Sequence, residues 1–155
     1  MNSIAFQEYA NQFDFLIAYS KSSYWYGNKI DLNIIGILAD ECTLIRYTKN
    51  EKGILPFIES VQINTSSFNS LLNQLTKSGF WNLSLDSLNQ TCINDDCFVI
   101  TDGVGYRFEI ITKDAFRVVS SYMPEAYLKQ FPSMTQRKTF IDCRNIFNKF
   151  LKNNL

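Results

Sequence analysis

The sequence predicts an α+β fold in which helices pack on one face of an antiparallel sheet of about six strands. Two groups of β-rich runs, within residues 31–64 and 97–122, are each followed by a segment with helical periodicity. A further helical pattern precedes the first group. The expected order of elements is therefore α-βββα-βββα, with the strands in two meanders. A length of 155 residues suits a single globular domain, residues 1–155.

The second meander carries the clearest strand signals, with strands expected at 97–101, 105–112 and 115–122. Asp102-Gly103 is typical of a hairpin, because glycine tolerates the positive φ that a type I′ turn requires. Side chains alternate along the middle strand, which predicts one core face and one half-polar face. The core-facing set is Tyr106, Phe108 and Ile110, and the opposite set is Arg107, Glu109 and Ile111.

The first meander is expected at residues 31–38, 42–48 and about 57–64. Asp40-Glu41 marks its first turn. Pro56 lacks a backbone N–H, so it predicts the start or the edge of the third strand.

Apolar spacing predicts four helical segments, at residues 4–18, 65–78 and 124–130, and from Ser133 toward the C-terminus. Residues 84–96 lack periodicity and are expected to form a loop. The last helix combines an apolar arc with a basic arc that is expected to face solvent. The basic arc consists of Arg137, Lys138, Arg144, Lys149 and Lys152.

Two groups of side chains are candidates for binding a partner. Tyr24, Trp25 and Tyr26 are consecutive, so in an extended segment they cannot all face the core. They predict either an exposed binding loop or an aromatic plug over the open end of the sheet. The second group is Arg107, Glu109 and Arg117, which are expected as cross-strand neighbours. They form either an anion- or partner-binding patch or ordinary solvated pairs.

The chain has four cysteines, at positions 42, 92, 97 and 143. Cys92 and Cys97 are close enough in sequence for a local disulfide if the compartment is oxidising. Cys42 and Cys143 fall in an expected strand and an expected helix, where a buried thiol is the usual role.

Composition disfavours several functional classes. Lys and Arg number 15, as do Asp and Glu, so no net charge attracts nucleic acid or an anionic membrane. The absence of histidine removes the commonest general base and metal ligand. No phosphate-binding glycine motif and no tight cysteine pair occurs, so neither a cofactor nor a metal site is expected. No run of about 18 apolar residues predicts a transmembrane segment.

These patterns favour a non-catalytic protein-binding module. Its narrower forms are an immunity-type inhibitor or an adaptor from a bacterium, since the bias toward Asn, Ile, Lys and Phe fits a low-GC genome. An uncovered sheet face could equally serve as a homodimer interface, which is a further alternative. One alternative is a secreted or cell-envelope domain with a Cys92–Cys97 disulfide, and another is a small enzyme that uses carboxylates or a cysteine. The N-terminus lacks a leader pattern, which favours the cytoplasm unless a leader was removed.

Overall fold

A computed structural model describes residues 3–23, 30–49 and 56–155 and contains one six-stranded antiparallel sheet. Its strands lie in the order β4-β3-β2-β1-β7-β8, and a separate two-stranded hairpin pairs β5 with β6. The strands are β1 (Phe15–Ser23), β2 (Ile30–Leu38), β3 (Glu41–Lys49), β4 (Phe57–Ile63), β5 (Cys92–Ile93), β6 (Asp96–Cys97), β7 (Val104–Thr112) and β8 (Phe116–Tyr122). The helices are α1 (Thr65–Lys77), α2 (Leu85–Asn89), α3 (Pro124–Gln130) and α4 (Thr135–Asn154), with short helical turns at Ala5–Tyr9 and Phe80–Asn82.

The predicted α+β class and the six-stranded antiparallel sheet are confirmed. Strands β2, β3, β4, β7 and β8 correspond to five of the six expected strands. Helices α1, α3 and α4 also lie where helical spacing placed them. The sheet divides into a four-strand meander, β1 to β4, and the β7–β8 hairpin, which joins it through pairing of β7 with β1.

The expected helix over residues 4–18 is wrong beyond its first turn. A turn of π-helix covers Ala5–Tyr9, and the chain then enters β1 at Phe15. Strand β1 lies in the middle of the sheet, and its first half, residues 15–19, is covered on both faces, which accounts for a continuous apolar run there. Such a run resembles a helical stripe when only its spacing is considered.

The expected strand over residues 97–101 is also wrong, because only Cys97 belongs to a strand there. The position beside β7 that this strand would fill is occupied by β1. Phe98 and Ile100 instead pack against a small cluster formed by Tyr127, Phe131 and Met134. The expected loop over residues 84–96 likewise contains α2 and most of the β5–β6 hairpin.

The two longest helices, α1 and α4, cover one face of the sheet, here called the helical face. Phe108 lies at its centre, with ring centroids 4.9 Å from Tyr19, 5.2 Å from Phe80 and 5.5 Å from Phe147. Aromatic pairs at these separations add to the stabilisation from burial. The core on this face draws on all four of these aromatic residues and on aliphatic side chains from the strands and both helices.

The other face of the sheet, here called the opposite face, is partly covered by residues 3–13. Ala5 and Tyr9 are buried there against Leu16, Ile34 and Ile111 of the strands. The larger helices therefore lie on one face, as expected, while the short N-terminal turn protects the middle of the other. The strand ends that carry Ser22, Gly105 and Tyr122 extend beyond this cover.

Candidate functional site

The expected patch of Arg107, Glu109 and Arg117 is divided between the two faces of the sheet. Strand register pairs Glu109 with Val118 and Arg107 with Ser120, so Arg117 lies out of phase with both. Arg117 pairs with Ile110, and its Nη2 donates to the carbonyl of Leu83 at 2.7 Å. The expectation that the three side chains are cross-strand neighbours is therefore wrong for Arg117. Tyr24, Trp25 and Tyr26 lie outside the described residues.

Arg107 and Glu109 do lie together on the opposite face. Nε of Arg107 donates to Oε1 of Glu109 at 2.6 Å. The hydroxyl of Ser3 donates to the other carboxylate oxygen, Oε2. Glu109 is only 6% exposed, whereas the Arg107 side chain is 23% exposed. A buried carboxylate that accepts on both oxygens thus holds a guanidinium that still reaches the surface.

A cavity of about 290 Å³ opens beside this pair, past the edge of the N-terminal cover. Its apolar walls include Ile30, Leu32 and Tyr122, and Gly105 of β7 also lines it. The polar lining consists mainly of hydroxyls and of the Arg107–Glu109 pair. Its hydroxyl-bearing side chains include those of Ser3, Ser20, Ser22 and Ser120. This mixture of apolar wall and a few convergent polar groups is typical of small-molecule sites.

Arg144 of α4 was expected in solvent, but it is buried between the helical face and α3. Its Nη2 donates to Oε1 of Glu125, and its guanidinium carbon lies 4.4 Å from the ring centre of Tyr106. Nη1 is buried and has no hydrogen-bond partner among the described residues. Burial by itself would lower the pKa of Arg144, but the hydrogen bond and ion pair with Glu125 outweigh it and raise that pKa. The arrangement ties α3 to α4 and neutralises the buried charge.

Strand β4 forms one edge of the sheet. It pairs only with β3 in the part of the chain that the structure describes. Phe57 is 60% exposed and Ile58 is 51% exposed, and because they are consecutive they point to opposite faces. Among the described residues, the outer edge of β4 therefore combines backbone groups that have no strand partner with two large exposed apolar side chains. An edge of this kind is suited to accepting another strand.

The four cysteines fall into two pairs with different surroundings. Cys92 and Cys97 are directly opposite each other in the β5–β6 hairpin and are joined by a disulfide in the structure. Cys42 and Cys143 are free and buried. Burial raises the pKa of Cys42 to about 11 and that of Cys143 to about 12. Because the thiolate is the nucleophilic form of cysteine, these raised pKa values disfavour nucleophilic attack by either thiol at neutral pH.

Within residues 3–23, 30–49 and 56–155, no group of three or more acidic or cysteine side chains is arranged to hold a metal ion. Over the same residues, no helix has both the length and the apolar character needed to cross a bilayer.

Comparisons with known proteins assign no family to this chain. No protein-family model matches it, and no curated protein matches its sequence.

Proposed function

We propose that this chain is a non-catalytic binding protein that holds another protein through the open edge of β4. The observation that carries the proposal is the pair of exposed side chains, Phe57 and Ile58, on an edge strand of seven residues. The partner is inferred to add an extended segment antiparallel or parallel to β4. Backbone hydrogen bonds would then supply affinity, and the two apolar side chains would supply selectivity.

Features that usually protect an edge strand are sparse in β4. Pro56 stands immediately before the strand, and Glu59 is the one charged residue within it. The carboxylate of Glu59 lies 3.6 Å from Nη1 of Arg46 on the neighbouring strand, so its charge is directed inward along the sheet. Natural sheets commonly discourage pairing with lysines, prolines or bulges along an edge. Low protection is consistent with an edge that is covered by a partner.

The experiment compares three forms of the full chain as bait in lysate of the source organism. They are the wild type, Ile58→Lys and the control Leu38→Lys. Leu38 is 54% exposed and lies at the end of β2, so the control adds the same charge at a matched exposure. Native mass spectrometry then reports the stoichiometry of what is retained. We expect a stoichiometric partner with the wild type and Leu38→Lys, and its loss with Ile58→Lys.

Retention of the partner by Ile58→Lys would refute the edge as the contact surface, and a partner-free monomer from all three forms would refute the binding proposal. A dimer of the chain itself, lost in Ile58→Lys, would assign the edge to self-association instead. An immunity-type inhibitor and an adaptor are the narrower forms of the proposal. They differ in whether the retained partner is a toxic enzyme.

Tyr24, Trp25 and Tyr26 remain a second predicted contact surface, for which Trp25→Ala in the same assay is the test.

A second candidate function, a secreted or cell-envelope domain, is favoured by the cross-strand geometry of Cys92 and Cys97. Disulfides persist mainly in oxidising compartments. The test is the intact mass of the protein taken from its source cells, alkylated before any reductant is added. Two alkylated thiols would support this candidate, because Cys42 and Cys143 are the free pair. Four alkylated thiols would contradict it and favour the cytoplasm.

A further inference from the structure

We propose that the cavity beside Arg107 binds a small amphipathic monocarboxylate, with the carboxylate on Arg107 and the apolar chain against Ile30, Leu32 and Tyr122. The cavity lies on the opposite face near β7 and β8, whereas the proposed protein contact lies on β4 at the far edge. The inference is therefore independent of the protein-binding proposal, and the two are tested by different substitutions.

The guanidinium of Arg107 is positioned to receive an anion. Its Nε is engaged by Glu109, and in the described part of the chain its two Nη nitrogens have no hydrogen-bond partner. Glu109 also accepts from Ser3, so the carboxylate that supports the guanidinium is itself fixed. The remaining N–H groups form the planar fork that matches a carboxylate. Because Glu109 already holds Nε of Arg107, less side-chain entropy is lost when an anion binds.

The charged side chains that face the cavity limit how much negative charge a ligand can carry. Arg107 and Glu109 face the cavity and form an ion pair, whereas Lys21 pairs with Tyr106 in the sheet and therefore lies on the helical face. A monocarboxylate adds one negative charge beside this pair, whereas a dianion would add two near the buried Glu109. Serine hydroxyls at the wall, among them Ser120, offer further donors to the same head group.

Space for the apolar part of the ligand depends on Gly105. A Cβ added at Gly105 would lie 3.2 Å from the hydroxyl oxygen of Ser22 and 4.0 Å from the Tyr122 ring. A larger side chain there would extend into the cavity. The volume of about 290 Å³ is near the lower end for ligand pockets, roughly 300–1,000 Å³. It therefore suits a short acyl or aryl chain better than a nucleotide or a long lipid.

The test uses octanoate as the probe and octanol as the neutral probe with the same chain. Isothermal titration calorimetry of the full chain gives affinity, and amide chemical shifts of ¹⁵N-labelled protein locate the site. We expect saturable binding of octanoate, shifts centred on Ser20, Gly105 and Ser120, and binding by octanol that is weaker by about tenfold or more.

Four substitutions separate the contribution of the Arg107 guanidinium from that of the space in the cavity. Arg107→Ala should weaken octanoate binding by about tenfold or more and bring it close to octanol. Arg107→Lys keeps the charge but loses the fork, so it should fall between Arg107→Ala and the wild type. Ser120→Leu should exclude both probes by filling the space. Arg46→Ala removes a matched arginine from an exposed ion pair elsewhere on the sheet and should change nothing.

Ser120→Leu and Arg107→Lys keep the test decisive if Arg107→Ala leaves Glu109 unpaired and fails to fold. No saturable octanoate binding at concentrations up to about 1 mM would overturn the proposal. Equal affinity for octanoate and octanol, or equal loss in Arg46→Ala and Arg107→Lys, would also overturn it. So would chemical shifts that centre on any region other than the ends of β1, β7 and β8.

Discussion

The guanidinium of Arg137 in α4 donates twice to the carbonyl oxygen of Leu88 in α2, through Nε at 3.2 Å and Nη2 at 2.9 Å. Nη2 also donates to the carbonyl of Gln90 at 2.5 Å, and the guanidinium carbon lies 4.2 Å from the ring centre of Tyr127. Arg137 is 1% exposed, and burial lowers its pKa. The end of α2 thus supplies carbonyl dipoles, in place of a carboxylate, to stabilise a buried cation.

Replacing Arg137 should therefore destabilise the fold strongly. Arg137→Met keeps the apolar stem but removes the donors, which leaves the carbonyls of Leu88 and Gln90 without their partner. We expect the free energy of unfolding to fall by at least about 2 kcal/mol, measured by urea denaturation. Lys138→Met is the matched control, because Lys138 is exposed on the same helix, and its effect should stay within about 0.5 kcal/mol. Equal effects of the two substitutions would contradict a structural role for Arg137.

The burial of Arg137 could not be predicted from the sequence. Helical spacing correctly placed α4 and its apolar arc, but it assigned Arg137 and Arg144 to the solvated side. Both are buried, because α2 and α3 fold over that side of α4 and offer carbonyls, a carboxylate and the ring of Tyr127. Those partners lie ten or more residues away in sequence, so no local pattern indicates them.

Dependence on distant parts of the chain also explains why β1 was not predicted as a strand and why Arg117 was wrongly grouped with Arg107 and Glu109. Alternation and turn residues located the strands that have one polar face, such as β7. The first half of the central strand β1, residues 15–19, is covered on both faces and has no alternation to detect. The pairing of Arg107 with Glu109 on one face followed from their spacing in β7, whereas the register that separates Arg117 from them did not.

Gly36 in β2 lies against the ring of Phe13, which gives a prediction about the N-terminal cover. A Cβ added at Gly36 would lie 2.4 Å from two atoms of that ring. Gly36→Ala should lower the free energy of unfolding by about 1–3 kcal/mol, because the ring must move out of a packed position. Gly105→Ala is the control on β7, where the nearest atom is a flexible hydroxyl at 3.2 Å, and its effect should be smaller.

A double-mutant cycle identifies Phe13 as the cause. In the Phe13→Ala background the obstruction is absent, so Gly36→Ala should cost less than it does in the wild type. We expect the two substitutions to be coupled by about 1 kcal/mol or more in denaturant unfolding. Strict additivity would show that the cost of Gly36→Ala has another origin.

Tyr19 and the two buried thiols predict a loss of stability at alkaline pH. Desolvation raises the pKa of Tyr19 from 10.0 to about 12, partly offset by a hydrogen bond to Asn148 and by the charge of Arg144. Burial raises the pKa of Cys42 from 9.0 to about 11, and that of Cys143 from 9.0 to about 12. Each folded pKa lies above the unfolded value, so the folded state holds these protons more tightly. Their contribution is complete below pH 9 and is lost as the pH rises toward about 12.

Measurements of unfolding free energy from pH 7 to 12 separate these groups. Between pH 10 and 12 each group should contribute a slope of at most about 1.4 kcal/mol per pH unit. Tyr19→Phe keeps the ring among Phe108 and Phe147 but removes the ionising hydroxyl, so it should reduce the slope above pH 10 and leave the region from pH 9 to 10 unchanged. Replacing Cys42 and Cys143 with alanine should remove the earlier loss that begins near pH 9. A Tyr19→Phe curve that runs parallel to the wild type above pH 10 would show that Tyr19 ionises in the folded state without cost.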